Sequence, residues 1–144
     1  MYAHKYGIPL DRLKRSMAQV AVKNHHNGTS NPLAHFRKEI TVDTVLEGPM
    51  IADPLQLYDC CPFSDGAAAL VIGAAEKFRT QVSKPITVAG VGQGSAGAIY
   101  AHKDISRVRA RETSIKEAYC QAGIGPDDVD VCELHDCFTI AEIM

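Results

Sequence analysis

A chain of 144 residues can carry one modest hydrophobic core, on the scale of roughly 100–200 residues per domain. Its 46% hydrophobic and 22% charged residues are those of a globular protein, not of a disordered tail or a low-complexity scaffold. Fifteen basic against seventeen acidic side chains give a formal charge of −2, so no basic field is available for a nucleic-acid backbone or an anionic membrane surface.

The longest apolar run, 67–75, is about half of the roughly 20 residues that a membrane span needs, and Met1-Tyr-Ala-His-Lys lacks the apolar core of a signal peptide. A soluble, cytoplasmic protein is expected. Five cysteines, Cys60, Cys61, Cys120, Cys132 and Cys137, form no C-x-x-C pair and no metal-finger spacing, so reduced thiols are expected. With no tryptophan and nine aromatic residues, the core must come from Ala, Val, Leu and Ile, as in layered α/β proteins.

From Pro9 to about Asn27, Leu10, Leu13, Met17, Val20, Ala21 and Asn24 recur at three- and four-residue spacing, opposite Asp11, Arg12, Lys14 and Arg15. The spacing predicts an amphipathic helix with Pro9 in its first turn and a left-handed Gly28 closing it. Between Thr29 and Pro62, X-Pro and Gly-Pro breaks leave room for one or two helical turns near Val42 to Leu46. Apolar runs at 66–74, 86–91 and 130–135 predict buried strands, the second after a break at 81–85. A helix is predicted over 110–122, with Ile115, Ala118, Tyr119 and Ala122 on one side and Gly123 past its end. Thr139 is a candidate cap for a last short helix.

Gly92-Gln-Gly94-Ser-Ala-Gly97 fits the G-x-G-x-x-G pattern after a predicted strand. A dinucleotide turn needs a helix at once, so that its first amides meet a pyrophosphate, and an acidic residue roughly 20 positions on. Ala98-Ile-Tyr-Ala-His-Lys-Asp104 offers no cap, so a small-residue loop that lets backbone approach closely is the expectation. His25-His26 resembles a metal pair, but neighbours on a helix point about 100° apart, which favours hydrogen bonding at a helix end. Adjacent Cys60 and Cys61 are expected as buried structural thiols. His135-Asp136-Cys137-Phe138 differs in kind: it sets an imidazole and a thiol at a strand end, where α/β folds gather active sites. A hydrogen-bonded structural histidine is the plainer alternative.

Val22-Lys-Asn-His-His-Asn-Gly28, Asp59-Cys-Cys-Pro-Phe-Ser-Asp-Gly-Ala-Ala-Ala69 and Glu133-Leu-His-Asp-Cys-Phe-Thr139 together resemble the thiolase family. The His-Asp-Cys-Phe motif resembles the branch of sterol carrier protein 2 thiolases and archaeal acetyl-CoA acetyltransferases. The resemblance implies a partial α/β thiolase fold of αβαβα layers. Residues 1–80 would be the loop region and end of the N-terminal half, and 81–144 the start of the C-terminal half.

It also implies acyl-CoA C-acyl transfer, with a coenzyme A thioester as substrate, no covalently bound cofactor and no metal. His135 would help form an oxyanion hole for the enolate, Cys137 would lie near the reacting carbon with acid–base steps open to it, and Phe138 would shape the pocket wall. Asp136 would fix the turn. The family's nucleophilic cysteine, its Gly-His-Pro histidine and its Cys-x-Gly segment have no counterpart here. The expectation is therefore an internal fragment, inactive alone and prone to oligomerise through uncovered surfaces. A non-catalytic acyl-CoA-binding or interaction module is the alternative. The branch allows a partner enzyme of acyl-CoA metabolism, and a peroxisomal address in a eukaryote.

Overall fold

The computed structural model describes residues 1–78, 83–98 and 102–144. They fall into two compact units: Met1–Ser64 with Asp104–Arg107 and Glu133–Met144, and Asp65–Lys103 with Val108–Cys132.

The first unit is organised by one long helix. After the short α1 (Tyr2–Tyr6), Pro9 is the N-cap of α2 (Leu10–Thr29), and the apolar spacing buries Leu13, Met17, Ala18 and Ala21. The cluster of Ala18 and Ala21 with Ile40 and Val45 is flanked by Val22, Val42, Leu46 and Tyr58. Val45 comes from α3 (Val42–Leu46), whose N-cap Thr41 accepts the Thr44 N–H at 3.1 Å. A hairpin of β1 (Met50–Ala52) and β2 (Leu55–Gln56) follows, with a register shift between Met50 and Ala52, and leads into a 3₁₀ turn at Leu57–Asp59. Buried Gln56 donates its amide to the Leu46 and Gly48 carbonyls, tying the hairpin to the end of α3.

Gly28 does not close α2 in a left-handed conformation; it lies within the helix, which continues to Thr29. Its requirement is spatial, since a Cβ there would stand 2.8 Å from the Phe36 carbonyl oxygen.

The second unit holds α4 (Ala75–Phe78) and α5 (Arg109–Ala122), the latter closed by Gly123 at φ 68° as the sequence predicts. Against α5 lies the segment 90–94. A Cβ on Gly90, Gly92 or Gly94 would collide with the carbonyl oxygen of Ala118, Ser114 or Ala110 respectively. Four residues of helix rise about 6 Å, close to the roughly 6.6 Å that two residues of extended chain cover. One glycine therefore meets each turn of α5, the two segments running in opposite directions. The N–H groups of Val91 and Gln93 donate to Gln121 and Glu117, each at 3.2 Å. The face of α5 that is used thus centres on Ala110, Ser114 and Ala118, while Ile115 is left exposed.

The segments 66–74, 86–91 and 130–135 form no strands among the described residues. A strand is completed by a ladder of N–H and C=O bonds to a neighbouring strand, and among the described residues no such ladder runs along these three. Their apolar side chains are accordingly bare: Val71 is 95% and Ile86 99% exposed. Of the break expected at 81–85, residues 81–82 lie outside the described residues. So do 99–101, part of the stretch weighed as a nucleotide-type helix start.

Candidate active site

The first unit brings the three sequence motifs together around the His135–Phe138 turn. Cys60 pairs with Phe138 in an isolated antiparallel bridge, and the Cys61 N–H donates to the Cys137 carbonyl at 3.1 Å. In that register Asp59 stands opposite Thr139 and Cys61 opposite Cys137, on one face of the pair. Thr139 Oγ1 donates to Asp59 Oδ1 at 2.7 Å, and both residues are buried. The other carboxylate oxygen of Asp59 accepts the Gln56 N–H at 2.9 Å. From α2, Asn24 Nδ2 donates to Asp136 Oδ2 at 2.7 Å and Lys23 pairs with Glu142 at 2.6 Å.

His135 is exposed, Cys137 half-buried and Phe138 40% exposed. Next to the turn is a cleft of about 160 Å³, lined by Asn24, Tyr58, Asp59, Cys61, Asp136 and Thr139 among others. It is lined by the residues flanking the predicted groups; His135, Cys137 and Phe138 are not part of its wall. Its volume is below the roughly 300–1,000 Å³ of ordinary ligand pockets, so it is sized for a small group and not for a whole coenzyme.

Thr139 does not cap α6 (Thr139–Ile143): Phe138 is the N-cap, and the threonine hydroxyl is committed to Asp59. Cys60 and Cys61 are not both buried as expected. Cys61 is exposed where the chain leaves the bridge, whereas Cys60 is half-buried and its Sγ lies 3.5 Å from the Gln56 carbonyl. Burial pushes the Cys60 thiol pKa up, helped by the neighbouring Asp59 charge.

The paired histidines do hydrogen-bond at the end of α2. His25 Nδ1 meets the Lys38 carbonyl at 3.0 Å, which requires the ring nitrogen to carry the proton, and His26 pairs with Glu39 at 2.8 Å. His25 also lies edge-on to Tyr58, which lines the cleft. The structural part of Asp59 was not foreseen from sequence, although its place in a conspicuous motif was. Gly92 and Gly94 of the glycine pattern serve the packing on α5.

Comparison with known proteins fixes the fold class. A solved structure of an Ltp2-ChsH2(DUF35) aldolase matches 96% of this chain and 37% of its own, with a TM-score of 0.85 and 30% identity. The fold is a partial α/β thiolase fold. The family model for the thiolase N-terminal domain matches residues 1–76, more than half of the chain, and that for a thiolase C-terminal domain-like region matches 92–144. The chain belongs to the thiolase family.

Similar proteins include the acetyl-CoA acetyltransferase of Methanothermobacter thermautotrophicus and the benzoylsuccinyl-CoA thiolase subunit BbsB of Thauera aromatica. Each is 37% identical over 145 residues, covering 100% of this chain. Sterol carrier protein 2 of Gallus gallus is 33% identical over 133 residues, or 88% of this chain. The chain spans 38% of the length of the first two relatives and 24% of the third.

Proposed function

We propose that these residues serve a thiolase-type acyl-CoA C-acyltransferase, of the acetyl-CoA acetyltransferase or 3-ketoacyl-CoA thiolase kind. The substrate is a coenzyme A thioester. His135 donates a hydrogen bond to the thioester oxygen as negative charge develops on it, the interaction by which an oxyanion hole lowers a barrier. Cys137 lies near the reacting carbon, where a thiol can hand over or accept a proton, and Phe138 forms part of the pocket wall. Residues 1–80 belong to the N-terminal half and 81–144 to the C-terminal half. The working protein is a cytoplasmic homo-oligomer, or peroxisomal in a eukaryote, with a partner enzyme of acyl-CoA metabolism.

The observation that carries this reading is the convergence of two separate motifs on the turn of a third: Asn24 of the first on Asp136, and Asp59 and Cys61 of the second on Thr139 and Cys137. Alone, the chain lacks a cysteine in the family's nucleophile context and its partner base, so it is proposed to be inactive by itself.

The test grafts this chain in place of the matched span of the Methanothermobacter acetyl-CoA acetyltransferase and follows acetoacetyl-CoA cleavage. The graft is expected to turn over, the isolated chain to be silent, and His135→Ala in the graft to lose about 10²–10³-fold in kcat. A folded graft without turnover, or one in which His135→Ala leaves kcat unchanged, overturns the reading.

A further inference from the structure

We infer that Asp59, Thr139 and Asn24 are positioning residues that present His135 and Cys137 as a set; the inference rests on the acyl-transfer reading of those two groups. The segment leading into the turn, 130–135, has no strand ladder among the described residues, so sheet pairing does not hold it. The turn is held instead from three sides. Residues Asp136 and Thr139 bracket Cys137 and Phe138, and each is tied to a different element. Asp136 accepts from Asn24 of α2 at 2.7 Å, and Thr139 donates to Asp59 of the 3₁₀ turn at 2.7 Å. Between these ties, the Cys137 carbonyl accepts the Cys61 N–H at 3.1 Å.

Asp59 is suited to the task because both of its oxygens are engaged, one by Thr139 and one by the Gln56 N–H, so the carboxylate cannot turn away. It is 4% exposed and Thr139 5% exposed, so little water competes for their bond. None of the three touches the reacting atoms in this account. They act by fixing the backbone from which the imidazole and the thiol project, and misplacement of about 1 Å at such a site is costly.

The experiment measures iodoacetamide alkylation of Cys137 in the full chain by peptide mass spectrometry, with exposed Cys120 of α5 as the internal reference. Thr139→Val and Asn24→Ala are expected to raise the Cys137-to-Cys120 rate ratio about fivefold, by letting the turn open. Thr139→Ser, which keeps the hydroxyl, is expected to stay within about twofold of the parent. If Thr139→Val does not fold, Asn24→Ala decides, since Asn24 is only half-buried. An unchanged ratio in folded Asn24→Ala, or a Thr139→Ser variant that behaves like Thr139→Val, overturns the inference. In the acyltransferase graft, Asn24→Ala is expected to lower kcat about tenfold with KM unchanged. A graft with no turnover would sink the acyl-transfer reading, while the alkylation ratio would still judge the clamp.

Discussion

In the first unit, α2 buries Leu13, Met17, Ala18 and Ala21, the two alanines against Ile40 and Val45, and polar Gln56, Asp59, Ser106 and Thr139 are buried with hydrogen-bond partners. In the second, Leu70, Val71, Ile72, Ile86 and Val88 all stand between 68% and 99% exposed. Every buried residue among those described belongs to the first unit. The two units do not differ in how apolar their sequences are. They differ in whether the chain supplies the second surface: a helical stripe meets its partner within a few dozen residues, whereas a strand needs neighbours on both edges and both faces. Apolar patches of this kind favour association.

The largest expected effect is in that core. Met17→Ala should cost about 2–5 kcal/mol, because a 2% exposed side chain leaves a cavity, while Ile72→Ala should stay within about 0.5 kcal/mol. Urea unfolding followed by far-UV circular dichroism compares them. Equal losses would mean that the apolar run of the second unit is buried in solution, for instance by a second copy.

Next is the glycine track. Gly92→Ala puts a methyl group 1.9 Å from the Ser114 carbonyl oxygen, so the segment must leave α5, at about 1–3 kcal/mol. Gly66→Ala meets nothing within 4 Å and should be nearly silent. Hydrogen exchange of the α5 amides measures the difference: fast exchange in Gly92→Ala and parental exchange in Gly66→Ala are expected. Parental exchange in both would remove the track as the support of α5.

The helices α2, α3 and α5 were legible from sequence because their hydrogen bonds are local, whereas the short α1 and α4 were not foreseen. The three- and four-residue spacing gives α2, the Val42–Leu46 turns give α3, and Gly123 marks the end of α5. Strands were not, because a ladder is a property of two segments and only one was visible in each apolar run. Gly28 shows the same limit in small: a helix-ending glycine and one that admits the Phe36 carbonyl look alike in a sequence. At the candidate site, the His135–Phe138 turn could be named from its residue types and its family resemblance. Its ties to Asp59 and Asn24 span 80 and 112 positions, and nothing local announces them.

A milder probe tests the register on which the site depends. Opposed residues of an antiparallel pair have Cα atoms about 5.5 Å apart, within the usual range for a disulfide. Gentle oxidation should therefore link Cys61 to Cys137 in preference to any pair involving Cys120 or Cys132, as mapped on tryptic peptides. A Cys60–Cys137 link in its place would shift the register by one residue and turn the faces over. Without oxidant, Cys60 should alkylate more slowly than Cys61 near pH 8, since a raised thiol pKa leaves less thiolate.

The smallest effect belongs to the tie between α1 and 104–106. Lys5 Nζ donates to Asp104 Oδ2 at 2.6 Å and to Ser106 Oγ at 2.9 Å, and buried Ser106 turns its hydroxyl onto the other Asp104 oxygen. The bond from Lys5, with those from Ser106, holds the Asp104 carboxyl well below the usual carboxylate range, and the bond to Asp104 raises Lys5. A depressed carboxylate adds stability above its unfolded value and loses it as pH falls through the folded one. A raised amine adds stability below its unfolded value and loses it as pH climbs through the folded one. The tie should therefore be constant across neutral pH, fading only in strong acid or well into the alkaline range. The two charges are solvent-screened, so Lys5→Gln should lower the melting temperature only slightly at pH 7 and less still in high salt. The gap between Lys5→Gln and the parent should narrow once pH drops below the ordinary carboxylate range. A gap that stays the same from pH 7 down to pH 2 would assign the loss to packing of the lysine stem, and would remove charge as the link between α1 and 104–106.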